Sequence, residues 1–142
     1  MSSGTSARSR RGTGISVSRA RATKALKEFI RSQFSGDPIH AKTLFWEAGK
    51  NFAGAHKAGK ALVLDFAWVR PDVRRTGIGA ALLRARLAWG RSKGCTTAQT
   101  YTAYDNIASI NNLIKAGFRV VERPKWAKNL NGDCWVWWEA PL

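Results

Sequence analysis

The chain has 142 residues, 44% of them apolar and seven of them Trp, which suits one domain with a buried core and argues against wholesale disorder. Against 24 Lys and Arg stand nine Asp and Glu, a formal net charge of +15, so the surface should attract polyanions: nucleotides, phosphorylated cofactors, nucleic acid or acidic lipid. No apolar run approaches the roughly 18 residues that span a bilayer, and the two Cys and two His lack the spacing of a zinc site, so no metal is expected. A reduced, cytoplasmic protein with ordinary thiols is the expectation.

Residues 1–14 (MSSGTSARSRRGTG) read as a basic, flexible tail ahead of a single domain over 15–142. An acid-free, Arg- and Ser-rich start is also the composition of an organelle transit peptide, but no amphipathic apolar stripe accompanies it. No apolar run follows the arginines as a secretory signal requires. Ile15 and Val17 alternate with Ser16 and Ser18 as a short strand. Ala22, Leu26, Phe29, Ile30 and Phe34 recur every three or four residues, a helix ending near Gly36. Thr43 to Ala48 and Asn51 to His56 read as a hairpin, and Ala61 to Val69, apolar on both faces, as a central strand stopped by Pro71. In the next helix Ile78, Leu82, Ala85 and Trp89 share a face, while Arg84, Arg86, Arg91 and Lys93 are expected largely outside. Thr96 to Thr102 is a strand of mixed polarity. Asp105 opens a helix with Ile107, Ile110, Leu113 and Ile114 as its apolar positions, ended by Gly117. Phe118 to Glu122 and Cys134 to Ala140 are the last strands, joined by a hairpin loop with Asn131-Gly132 at its turn. Trp135 and Trp137 fall on one face of the final strand and Trp138 on the other, with Trp126 nearby; one set belongs to the core and the other to an acceptor or partner surface. The order β-α-β-β-β-α-β-α-β-β predicts an α/β (α+β) domain: a mixed, mainly antiparallel twisted sheet of six or seven strands with helices on both faces.

The chemistry lies where the central strand runs into a Gly-rich turn that opens a helix: Val69-Arg70-Pro71-Asp72-Val73-Arg74-Arg75-Thr76-Gly77-Ile78-Gly79. A helix start carries unpaired N–H groups and the positive end of the backbone dipole. Glycines let an anion approach, and Arg74 and Arg75 add charge, which suits a di- or triphosphate. A plain capped helix after a turn is the structural alternative. A Walker loop is excluded by the missing Lys, and a dinucleotide fingerprint by Leu82 where its third Gly belongs.

Arg74-x-x-Gly77-x-Gly79, preceded by Val69-x-Pro71, resembles the acetyl-CoA loop of the GNAT (Gcn5-related) N-acetyltransferases. Asn106-x-x-Ser109 followed by Lys115-Ala116-Gly117-Phe118 is similar to a second segment of that family at the same spacing, and the element order matches from Ile15 onward. The resemblance implies acetyl-CoA as acyl donor. The N–H groups of Arg75, Thr76, Gly77, Ile78, Gly79 and Ala80 would hold the pyrophosphate. The strand end at Trp68, Val69 and Arg70 would pair with the pantetheine arm, in a gap where the strands Ala61–Val69 and Thr96–Thr102 splay. An N–H near Val69 or Arg70 would face the thioester oxygen, and Asn106 and Ser109 would line the cofactor's other side, unless they simply cap and pack their helix.

Asp65 is the first candidate for the base and Glu47 the second. The family's usual acid, a Tyr four residues before Gly-Phe, is replaced by Leu113, which leaves Tyr104 or Tyr101 to supply a hydroxyl. One helix stands where the family commonly has two, so an open acceptor pocket is expected. Residues 1–31 hold eight basic residues and one acid, which points to nucleic acid or an acidic partner beyond a solubilising role. Two functions follow: direct transfer of an acetyl group to an unidentified amine in a ternary complex, or a non-catalytic module of this fold anchored by its basic tail. The sequence leaves the acceptor and the oligomeric state open.

Overall fold

The computed structural model describes residues 14–125 and 135–142, with the backbone of residues 6–8. Eight strands and three helices follow one another as β1 (Ser6–Arg8), β2 (Ser16–Ala20), α1 (Lys24–Gln33), β3 (Leu44–Ala48), β4 (Asn51–Ala58), β5 (Ala61–Trp68), α2 (Ile78–Ser92), β6 (Thr97–Ala103), α3 (Ile107–Lys115), β7 (Arg119–Val121) and β8 (Trp135–Pro141). The seven expected strands are all present. The eighth, β1, falls inside the segment read as a tail and pairs with Ser16–Ser18. Trp126, Cys134 and the Asn131-Gly132 turn lie outside the described residues.

One sheet takes all the strands in the order β1-β2-β3-β4-β5-β6-β8-β7. Every neighbouring pair is antiparallel except β5 and β6. The parallel pair is required because α2 lies between them in sequence and carries the chain back across one face. β5, apolar on both faces, sits between β4 and β6 as its composition predicts.

The larger core lies between the sheet and α2 and α3. Leu62 and Leu64 meet Leu82, Leu83 and Leu87 there, with Leu113, Phe118 and Trp138 completing it. The opposite face is covered by α1, which packs Ile30 against Phe45 and Phe66. Thr23 caps α1 by accepting the Leu26 N–H at 3.1 Å. Helices therefore cover both faces, and α1 alone stands between β2 and β3.

Two side-chain placements differ from expectation. Arg86 is not outside: it is 4% exposed. Its position four residues after Leu82 gives it the buried face, and charge does not override helical phase when the guanidinium finds acceptors. In α3, Leu113 is the one fully buried residue; Ile107 and Ile114 are more than half exposed. A nine-residue helix lying on a flat sheet buries one narrow stripe, and these two fall beside it.

Candidate active site

β5 and β6 stay paired for three residue pairs only, Ala61–Thr97, Leu62–Ala98 and Val63–Gln99. Past that point β5 continues along β4 as far as Phe52–Trp68, while β6 continues along β8 as far as Ala103–Trp135. The last link between them is a side-chain bond, Thr100 Oγ1 to the Leu64 carbonyl at 3.2 Å. The sheet therefore opens into a V with its crotch near Leu64.

A bulge shapes the near bank. Gly54 opposes Phe66 but Ala55 opposes Leu64, so Asp65 is an extra residue in β5. The insertion reverses the alternation. Leu62 and Leu64 face α2, whereas Phe66 packs in the α1 cluster and Trp68 against Phe29 of α1. Val69 returns to the α2 side, packed on the larger core. The Arg70 N–H points to β4, where Asn51 Oδ1 accepts it at 2.8 Å. By alternation the Val69 N–H is turned the other way, toward the V. Of the two expected thioester-facing donors, Arg70 is thus already engaged and Val69 has the required direction. The Val69 carbonyl accepts from Arg74 Nε at 3.2 Å, and the Arg70 guanidinium pairs with Asp72 at 2.9 Å.

The phosphate corner follows. Arg75 holds φ +70° and Gly77 φ +90°. The left-handed value is costly for a residue with a Cβ, about 1 kcal/mol or more, and such strain gathers at working turns. Gly77 is the N-cap of α2 and no side chain caps that helix end, so the first N–H groups of Ile78, Gly79 and Ala80 meet no side-chain oxygen. Gly79 sits where a Cβ would come within 3.1 Å of Asn112 Nδ2 on α3, so α3 closes tightly on the loop. Thr76 turns inward, its hydroxyl donating to the Val73 carbonyl. An anion at this corner finds uncapped amides, a glycine-lined approach and the exposed Arg75.

Asp65, the extra residue, points to the α1 side. His56 Nδ1 lies 2.8 and 2.9 Å from its two oxygens, and Thr43 Oγ1 donates to it at 2.9 Å. Its side chain is 7% exposed and that of His56 10%. Burial pushes the Asp65 carboxyl up from its ordinary value, opposed by His56 and Thr43. His40 stacks flat on His56, with centroids 3.9 Å apart; the two histidines, far apart in sequence, are neighbours in space. Glu47 lies on the same sheet face at the end of the cross-strand row Glu47–Phe52–Trp68. Beneath the bulge Arg86 donates to the carbonyls of Gly54 and Phe66 at 3.1 and 3.3 Å, and to Leu82. Burial pushes its pKa down to about 10, although Asp65 works the other way.

Tyr101 faces the V from β6. It packs tilted on Trp137, with centroids 4.9 Å apart, and edge-on to Trp135 at 5.2 Å. Burial, then the charge of Asp65, pushes its hydroxyl pKa up. Tyr104 lies in the turn after β6, 65% exposed. Asn106 is the N-cap of α3, its Oδ1 accepting the Ser109 N–H at 3.3 Å. Trp138 is core, its indole donating to Thr102 at 2.9 Å. Sequence reasoning missed His56, Thr43, Arg86, Asn51 and Asn112. His56 was within reach, since alternation along β4 puts it on the face of Phe52 and Gly54; the others depend on contacts between distant elements. Among the described residues no group of three His, Cys, Asp or Glu is placed to hold a metal ion.

The sheet is split between its two parallel strands, with an uncapped, glycine-lined helix start at the mouth. Residues 24–118 match the acetyltransferase (GNAT) family, and the chain belongs to that family. Over 64 residues, 45% of this chain and 42% of the other, it is 38% identical to aminoglycoside N(6')-acetyltransferase type 1 of Klebsiella aerogenes. The match thus spans less than half of that enzyme's length. The fold is similar to the ribosomal-protein-S18-alanine N-acetyltransferase of Escherichia coli, with TM-score 0.68 and 20% identity over 88% of this chain and 92% of that one. It is also similar to the paiA N-acetyltransferase of Thermoplasma acidophilum in complex with coenzyme A, with TM-score 0.62 and 20% identity over 84% and 70%.

Proposed function

We propose that the protein transfers an acetyl group from acetyl-CoA to an amine by direct attack within a ternary complex. The observation that carries this reading is the V itself: two strands that part beside an uncapped, glycine-lined helix start. Acetyl-CoA supplies the acetyl group activated as a thioester. The amides at Gly77 to Ala80 bind its pyrophosphate, and the Trp68–Arg70 backbone offers the pantetheine a strand edge. The Val69 N–H faces the carbonyl oxygen and stabilises the charge that develops there. The amine lone pair forms the C–N bond, the C–S bond breaks with its electrons going to sulfur, and the amine nitrogen loses a proton.

Asp65 takes that proton, directly or through water, with His56 and Thr43 holding the carboxylate. Its raised pKa and its place at the crotch support the role; Glu47, on the same face, is the second candidate. A hydroxyl returns a proton to the sulfur. Tyr101 is supported by its position across from Asp65 and by a pKa that keeps it protonated, and Tyr104 is the exposed alternative. The non-catalytic reading is favoured by one fact: Leu113, at the family's usual Tyr position, is buried in the core.

Calorimetry separates the two. The first reading expects micromolar acetyl-CoA binding that vanishes in Gly77→Glu, together with release of free thiol when amines are added. No binding at low salt would remove it.

A further inference from the structure

Both banks of the V are built from aromatic rings on the α1 side of the sheet. On the near bank Phe29 packs edge-on to Trp68, with centroids 5.0 Å apart, and against Phe52 at 6.2 Å. On the far bank Tyr101 packs against Trp135 and Trp137. The bulge at Asp65 is what turns Trp68 to this side; an unbroken alternation from Leu62 and Leu64 would send it toward α2. Phe29 is 37% exposed, and Trp68, Tyr101 and Trp135 are only partly covered, so these rings are not wholly covered by one another.

This face of the sheet also carries acid. In a chain with net charge +15, the α1 side of the sheet carries two carboxylates, Asp65 on β5 itself and Glu47 on β3, at the far end of the cross-strand row Glu47–Phe52–Trp68. Asp65 is already held by His56 and Thr43, which leaves Glu47 as the carboxylate for an incoming cation. A polycation needs several such partners, whereas a single ammonium on a flat ring is matched by one carboxylate and ring faces.

We infer that the acceptor is a small primary amine on an aromatic body, its ring held between Phe29 and Trp68 on one bank and Tyr101 and Trp135 on the other. The inference rests on the acetyl-transfer reading for its chemistry but not for its binding test. 2-Phenylethylamine and n-butylamine are titrated calorimetrically into the full chain, both free and saturated with coenzyme A, so that the cleft is read whether or not the coenzyme binds. The ring should confer about tenfold tighter binding, the scale of one or two ring–ring contacts. In Phe29→Ala, a change at a partly exposed site that leaves the core intact, the difference should shrink to about threefold or less. Equal affinity for the two amines, tighter binding of an aminoglycoside, or no amine binding in either state overturns the inference. Phenylethylamine that binds but is not acetylated when acetyl-CoA is supplied defeats the transfer reaction and leaves the cleft assignment standing.

Discussion

Asp65 and His56 illustrate how one pair sets a pH response. Burial raises the Asp65 pKa, and the hydrogen bond and charge of His56 hold it down. For a carboxylate raised on folding, the stability contribution is greatest below the ordinary value and is lost as pH rises through the folded value. The ionised form is the one that accepts a proton, so turnover falls as pH drops through the same raised pKa. Replacing His56 by Ala removes what holds the pKa down, and the acid limb of the kcat/KM profile should move to higher pH; a limb that stays in place would exclude Asp65 as the titrating base. Asp65→Asn should lower kcat about 10²- to 10⁴-fold, measured as thiol release at the optimum. At the phosphate corner, Gly77 holds φ +90°. Gly77→Ala should cost about 1–2 kcal/mol of strain and weaken acetyl-CoA binding, read by calorimetry with the unaltered chain as reference. The turn at this loop was legible from the order of its glycines alone, since a left-handed backbone and an uncapped helix start are local features. Asp65 was legible as a candidate; its partners were not, because Thr43 lies just before β3 while His56 is on β4 and Asp65 on β5.

Strands and helices were readable because periodicity reports burial. The limits lie where that rule is broken on purpose. The bulge in β5 adds one residue to a run, ALVLDFAW, that looks regular on paper. No local signal marks it, because it is defined by the register against β4. Arg86 is its counterpart across the layer. The guanidinium donates to the carbonyls of Gly54 and Phe66, the residue pair directly beside the inserted Asp65. Arg86→Met leaves those acceptors unsatisfied and should destabilise the fold by about 2–4 kcal/mol, seen as a lower midpoint in urea. Arg86→Lys, which restores one donor, should recover part of the loss. If Met and Lys are equally harmless, the clamp on the bulge is not what holds it. Gly54 belongs to the same joint: a Cβ there would fall 2.9 Å from Thr43 Cγ2 and closer still to the Phe66 ring. Gly54→Ala should therefore cost about 1–3 kcal/mol by the same denaturation assay, and loosen the Thr43 contact to Asp65.

Charge is a property of the assembled surface. The α2 face presents Arg84, Arg91 and Lys93, exposed, while Glu47 on β3 lies on the opposite, α1 side of the sheet. The excess in residues 1–31 goes beyond what a pyrophosphate requires, and nucleic acid or an acidic partner is our proposal for it. If the tail contacts a duplex, deleting residues 1–14 removes Arg8, Arg10 and Arg11. The slope of log affinity against log salt should then fall by at most about 3 in magnitude, measured by fluorescence anisotropy on a labelled duplex. An unchanged slope assigns the binding to the folded domain instead, and no binding at low salt refutes the partner.

Composition, periodicity and the order of turns were enough for seven of the eight strands, the three helices on both faces and the glycine-rich turn that opens α2. Each depends on neighbours along the chain, where spacing is information. The opening of the V, the inserted Asp65 that flips Trp68 to the α1 side, the burial of Arg86 and the meeting of His40 with His56 depend on register between strands and on layers packed across the sheet. Those relations join residues tens of positions apart, and the linear pattern carries no record of which hydrogen bonds a strand gives up.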